Sequence, residues 1–163
     1  MIQKDDSMSY EIIRADLDDA EELLNVQKLA YQRQAELYNN FDIPPLRETT
    51  AEITGLFITH IFLKAVSQGK IAGTVSATEK DGTCHIGRLS VRPDMQKKGI
   101  GSALMCEIEK QFSVRRYALF AGTKSAGNIR LYQKLGYTIY KTEHYGCGDI
   151  EIFHMEKMHG LYV

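Results

Sequence analysis

The chain has 163 residues with 20 Lys and Arg against 21 Asp and Glu, a net charge of -1, so it is long enough for one well-filled domain and too short for two. The balanced charge lacks the basic excess of a general nucleic-acid binder, no apolar run approaches membrane-spanning length, and the first fifteen residues hold no signal-peptide core. Three cysteines, Cys84, Cys106 and Cys147, are odd in number and lack a Cys-x-x-Cys spacing, which argues against a disulfide framework or a zinc site and fits a reducing cytoplasm.

In chain order, residues 1–9 are polar and read as a flexible N-terminal tail, with a single domain over 10–163. Tyr10 to Arg14 reads as a short strand. Asp16 or Asp18 can cap a helix whose apolar positions, Ala20, Leu23, Leu24, Ala30 and Tyr31, recur at helical spacing to about Leu37. Asn39 to Arg47 contains Pro44-Pro45 and reads as a loop, followed by a second helix from Thr50 to about Thr59. A hairpin comes next: Ile61 to Ser67, a turn at Gln68-Gly69-Lys70, then Ile71 to Thr78. Asp81-Gly82 turns the chain into a strand over Cys84 to Val91. A helix with Ile100, Ala103, Leu104, Ile108 and Phe112 on one face follows; Cys106, in mid-helix, is expected as a small buried hydrophobe. Tyr117 to Ala121 is a strand, and Gly127 to Leu135 a short helix that Gly136 can close in a left-handed conformation. Tyr137 to Tyr140 and Ile150 to Lys157 are the last strands, separated by the turn-rich Gly146-Cys147-Gly148-Asp149. Strands joined by both hairpins and helices imply a mixed sheet with helices on its faces.

The most informative stretch is Gln96-Lys97-Lys98-Gly99-Ile100-Gly101, between a strand ending before Pro93 and an amphipathic helix. The first turn of a helix has N–H groups without partners and about half a positive charge from aligned peptide dipoles. Glycine lets a ligand approach that main chain, and two lysines add cations, so a phosphate or pyrophosphate is the natural guest. Neither the Walker spacing nor a complete Gly-x-Gly-x-x-Gly is present. What is present is Val-x-Pro-x-x-Gln-x-x-Gly-Ile-Gly-x-x-Leu, from Val91 to Leu104. This resembles the acetyl-CoA-binding motif of the GNAT superfamily of N-acetyltransferases. The Asn128 to Tyr137 segment resembles the second motif of that family, an Asn followed by a helix that bears Tyr and ends in Lys-x-Gly-Tyr.

The resemblance implies an α/β (α+β mixed) GNAT fold: a mixed, mostly antiparallel twisted sheet of about seven strands flanked by about four helices. It implies transfer of acetyl from acetyl-CoA, as co-substrate and without a metal, to a primary amine of a small molecule or peptide, by direct attack in a ternary complex. The competing reading is a non-catalytic acyl-CoA-binding module of the same fold. By the resemblance Leu89, Ser90 and Val91 hold pantetheine, with the Leu89 N–H facing the acetyl oxygen. Gln96, Lys97, Lys98, Gly99, Ile100, Gly101 and Ser102 hold the pyrophosphate. Asn128 contacts the pantetheine region or caps its helix, and the Tyr132 hydroxyl lies near the sulfur as general acid or else packs in the core. His85 stands eleven residues before Gln96, where some members carry a glutamate, and is a candidate base; a water chain is the alternative. Tyr31, Glu36, Tyr38 and Phe41 fall in the region that lines the acceptor pocket in the family. A cytoplasmic protein without nucleic-acid or membrane partners, with room for a homodimer, completes the expectation.

Overall fold

A computed structural model describes residues 9–145 and 150–160. Seven strands are described: β1 (Glu11–Arg14), β2 (Ile61–Ser67), β3 (Lys70–Lys80), β4 (Thr83–Val91), β5 (Arg116–Gly122), β6 (Thr138–Tyr145) and β7 (Ile150–Met158). Five helices accompany them: α1 (Ala20–Tyr38), α2 (Pro44–Arg47), α3 (Thr50–Leu56), α4 (Ile100–Lys110) and α5 (Ala126–Lys134). The strands form one sheet in the order β1-β2-β3-β4-β5-β7-β6, with every pairing antiparallel except β4 with β5.

Neighbouring residues on β2 show how the sheet is sandwiched, because side chains alternate between faces. Phe62 joins Ile71 and the α1–α3 residues Leu23, Leu24, Val26 and Ile53 in one core. Leu63 joins the larger core of Val75, Ile86, Leu104, Ile108, Leu119 and Met155, against which Leu131 and Leu135 of α5 pack. The helices before β2 therefore cover one face, and α4 and α5 cover the other.

Most boundaries follow the sequence. Asp16 caps a 3-10 turn, Leu17–Asp19, its side chain accepting from the Asp18 N–H while the Asp19 carboxylate accepts from the Asp16 N–H. The Asp81-Gly82 turn and the Gly136 closure are both present, Gly136 at φ +98. Two features differ. Pro44 and Pro45 open a one-turn helix inside the expected loop, since proline suits the first helical positions where its missing N–H is not needed. Cys106 is exposed: the buried face of α4 is Ile100, Leu104, Met105 and Ile108, and Met105 takes the core position that Cys106 turns away from. The cysteine enclosed in the core is Cys84, on β4. The turn at Gly146 to Asp149, with Cys147, and most of the N-terminal tail, Met1 to Met8, lie outside the described residues.

Candidate active site

The parallel pair carries the site. β4 and β5 are hydrogen-bonded only over Thr83 with Arg116, Cys84 with Tyr117 and His85 with Ala118. Beyond these residues both strands continue, to Val91 and Gly122, but they part. On its other side β4 remains paired to β3, through Ser90 with Thr74 and Val91 with Gly73. Ile86 to Val91 thus present one edge of peptide groups without a strand partner among the described residues, inside a cleft where such groups require one.

A bulge accompanies the parting. Gly87 pairs with Ser76 and Ser90 with Thr74, so three steps on β4 oppose two on β3. Arg88 takes up the extra residue at φ +55, a left-handed conformation that costs a non-glycine residue about 1 kcal/mol. The buried Ser90 hydroxyl donates to the Arg88 carbonyl at 3.1 Å and steadies the bulge.

Past Val91 the chain enters the 3-10 turn Pro93–Met95, and the Gln96 amide donates back to the Val91 carbonyl at 3.2 Å. Lys97 at φ +63 and Gly99 at φ +82 swing the backbone into α4. Gly99 is the residue before the first turn of that helix and no side chain there caps the free amides. Ile100 is buried as the first core contact of α4, whereas Gly99 and Lys97 are exposed. The open strand edge therefore leads directly to a helix N-terminus flanked by Lys97 and Lys98. The residues fit a long ligand with a peptide-like arm and a pyrophosphate, since the strand edge can pair with amides and the helix start with phosphate oxygens.

Between the parted strands lies a cavity of about 310 Å³. Gln27, Tyr31, Gln34 and Tyr38 line it from successive turns of α1, Asn128 and Tyr132 from α5, Gly87 and Arg88 from β4, and Phe120 to Gly122 from β5. The absence of a side chain at Gly122 leaves room for the Tyr38 ring, whose hydroxyl accepts from the Lys124 N–H at 3.1 Å. The cavity thus runs through the gap in the sheet, from α1 on one face to α5 on the other.

Tyr132 is buried, stacks edge-on to Tyr137 with ring centroids 6.1 Å apart, and turns its hydroxyl to the cavity with no hydrogen-bond partner among the described residues. Burial, with a smaller contribution from Tyr31, pushes that phenol far above its ordinary value. Burial likewise pushes Tyr31 up to about 12, against the lowering effect of the Arg88 charge. Both phenols hold their protons at neutral pH. Asn128 lies in the first turn of α5 and lines the cavity; the cap position belongs to Ser125, so Asn128 does not cap its helix. His85 lies on the last paired step of β4, exposed, and is not among the cavity-lining residues. Tyr31 and Tyr38 line the cavity, whereas Glu36 and Phe41 are exposed and outside its lining.

The charged pair in the cavity wall was not legible in the sequence. Arg88 Nη2 donates to Glu48 Oε1 at 2.7 Å, and Nε lies 3.2 and 3.1 Å from Oε1 and Oε2. The Gln27 amide donates to Glu48 Oε2 at 2.7 Å and to the Pro45 carbonyl at 3.0 Å. Burial pushes the Glu48 carboxyl up, but the hydrogen bonds from Arg88 and Gln27 and the guanidinium charge outweigh it and hold it below the usual range. Burial and the same guanidinium pull His60 down, so it stays neutral beside the pair. Forty residues separate Arg88 from Glu48; the one available signal was an arginine between Gly87 and Leu89 in a strand with no other lysine, arginine or carboxylate.

The comparisons with known proteins agree with this geometry. The sequence profile described as the acetyltransferase (GNAT) family matches residues 19–137. Among solved structures, the PaiA N-acetyltransferase from Thermoplasma acidophilum, in complex with coenzyme A, superposes with a TM-score of 0.78 at 20% identity, covering 93% of this chain and 99% of that one. The ribosomal-protein-S18-alanine N-acetyltransferase from Escherichia coli gives 0.74 at 18%, covering 95% and 99%. The yncA protein from Salmonella typhimurium, solved with its cofactor acetyl-CoA, gives 0.73 at 17%, covering 95% and 96%. At these identities the likeness is one of fold.

Proposed function

The chain belongs to the GNAT acetyltransferase family, and on that premise we propose that it transfers the acetyl group of acetyl-CoA to a primary amine in a ternary complex. The observation that carries the reading is the β4 edge, open from Ile86 to Val91 and continuous with the uncapped start of α4. The co-substrate supplies an acetyl thioester, whose C–S bond breaks as the C–N bond to the amine forms. The backbone of Leu89, Ser90 and Val91 pairs with the pantetheine arm, and the Leu89 N–H polarises the acetyl carbonyl. Lys97, Lys98 and the amides from Gly99 to Ser102 hold the pyrophosphate, Gln96 ties the loop to β4, and Asn128 lies beside the arm. Tyr132 delivers its proton to the departing sulfur. Burial makes the phenol a weaker acid and raises the proton affinity of a thiolate alike, so the transfer stays uphill by the ordinary difference between phenol and thiol. It relies on the placement of the hydroxyl against the sulfur, while the proton the amine releases restores the phenol.

The amine must lose a proton, and the exposed position of His85 outside the cavity lining favours water in the cavity as the carrier. His85→Gln is accordingly expected to change kcat/KM by less than about threefold from pH 6 to 9. A loss confined to the neutral end of that profile would return the proton to His85.

The reading as a whole is tested by incubating the protein with acetyl-CoA and a panel of primary amines and following free-thiol release. Amine-dependent thiol release is expected. Tight acetyl-CoA binding without thiol release for any amine would make the protein a binding module instead.

A further inference from the structure

Within that reading the acceptor can be specified more closely, and the Arg88–Glu48 pair decides how. The pair is formally neutral, so its net charge selects nothing; its hydrogen-bond inventory does. Three N–H groups reach the Glu48 carboxylate: one on Arg88 Nη2 to Oε1, one on the Gln27 amide to Oε2, and the single Arg88 Nε–H shared between the two oxygens. Three of its roughly four acceptor positions are thereby engaged. A guanidinium has five N–H bonds, and only those on Nε and one on Nη2 are engaged. The outer edge, both Nη1 hydrogens and the second on Nη2, has no partner among the described residues, and no polar atom of this side chain is sealed from solvent without a partner. The pair therefore offers the cavity three free donors against about one remaining acceptor position. Other charged side chains are absent from the described cavity lining.

The position is as specific as the chemistry. Arg88 is held in its left-handed bulge conformation, Glu48 is fixed by Gln27, and Gln27 is itself buried on α1, so the guanidinium plane is set before any ligand arrives. Backbone strain maintained at such a point marks a position the surrounding structure over-determines. Arg88 also directly precedes Leu89, and consecutive α-carbons lie about 3.8 Å apart. The side chain that enters the cavity wall and the N–H proposed to face the acetyl carbonyl thus leave neighbouring residues of β4. Ile43, Pro44, Phe120 and Ile152 supply an apolar wall for the remainder of the molecule.

We propose that Arg88, oriented by Glu48 and Gln27, is a carboxylate-binding specificity residue, and that the acceptor is a small α-amino acid with an apolar or aromatic side chain. The proposal rests on the acetyl-transfer reading above but concerns a different group of atoms, so the two can fail separately.

The experiment compares ligands that differ only at the carboxylate: L-phenylalanine, its methyl ester, its amide and 2-phenylethylamine, with L-leucine and 3-methylbutylamine as a second series. Binding to the protein–CoA complex is read by calorimetry and acetyl transfer by thiol release. Two charge-assisted hydrogen bonds predict that the amino acids exceed their carboxylate-free counterparts by roughly a hundredfold in both affinity and kcat/KM. In the double variant Arg88→Gln with Glu48→Gln, which leaves no unpaired charge in the wall, that ratio should fall to within about threefold of one. Equal use of phenylalanine and phenylalanine amide by the unmodified protein would overturn the proposal in favour of a peptide N-terminus. So would a preference that survives in the double variant, or failure of every carboxylate to bind. Arg88-dependent binding of the amino acids with no thiol release would leave the carboxylate subsite standing and overturn the acetyl-transfer reading.

Discussion

Tyr132→Phe is expected to lower kcat by ten- to a thousandfold, the usual range for removing an acid or base, while the melting temperature stays within a few degrees. The two halves of that expectation come from separate observations. The ring is enclosed in the large core and packs against Tyr137, and phenylalanine keeps those contacts. The hydroxyl has no hydrogen-bond partner among the described residues, so its removal strands no donor or acceptor in the free protein. A mutant that loses stability but keeps kcat would make Tyr132 a packing residue. Steady-state rates with a saturating amine, together with a thermal melt, separate the outcomes.

Gly101→Asp is expected to abolish acetyl-CoA binding in a protein that remains folded. Gly101 is the second residue of α4, and its φ lies outside the left-handed region. A Cβ there would meet Leu131 Cδ2 at 3.4 Å and Val91 Cγ2 at 3.9 Å, ordinary contacts. A carboxylate in the first turn of a helix is stabilising by the peptide dipoles, so the substitution should leave the melting temperature of the free protein unchanged or slightly higher. The same carboxylate would occupy and repel the position of a pyrophosphate. For the unmodified protein, acetyl-CoA at about a hundred times its Kd should raise Tm by roughly 5–10 °C, and in Gly101→Asp that shift should vanish. Gly101→Ala, which adds the carbon without the charge, should lose less. Undiminished affinity in a folded Gly101→Asp protein would place the phosphates elsewhere.

What the sequence revealed of this site is local, and what it concealed is not. The run from Val91 to Leu104 reads directly because strand, turn and helix each have their own period and each is adjacent to the next. The face of α1 that supplies Tyr31 is legible for the same reason, since helical spacing puts Gln27, Tyr31 and Tyr38 on one side. By contrast, the loss of pairing after His85 depends on a bulge that no periodicity announces: Gly87-Arg88-Leu89 looks like ordinary strand until its register with β3 is known. The Arg88–Glu48 pair needed that bulge and also the one-turn α2, which ends at Glu48 as its C-cap. Cys106 illustrates the opposite limit: on a helix with a wide apolar face, composition alone does not say which of two adjacent residues, Met105 or Cys106, faces inward.

The gap between β4 and β5 makes the sheet a partition with a window. A ligand lying along the open β4 edge and the start of α4 reaches the window from the side of α4 and α5; one held by α1 and Arg88 reaches it from the opposite side. On the proposed reading the two substrates approach from opposite faces, and an acceptor bound there would not lie in the path of the first ligand. The window itself is set by where two strands stop holding each other, three residues into their pairing.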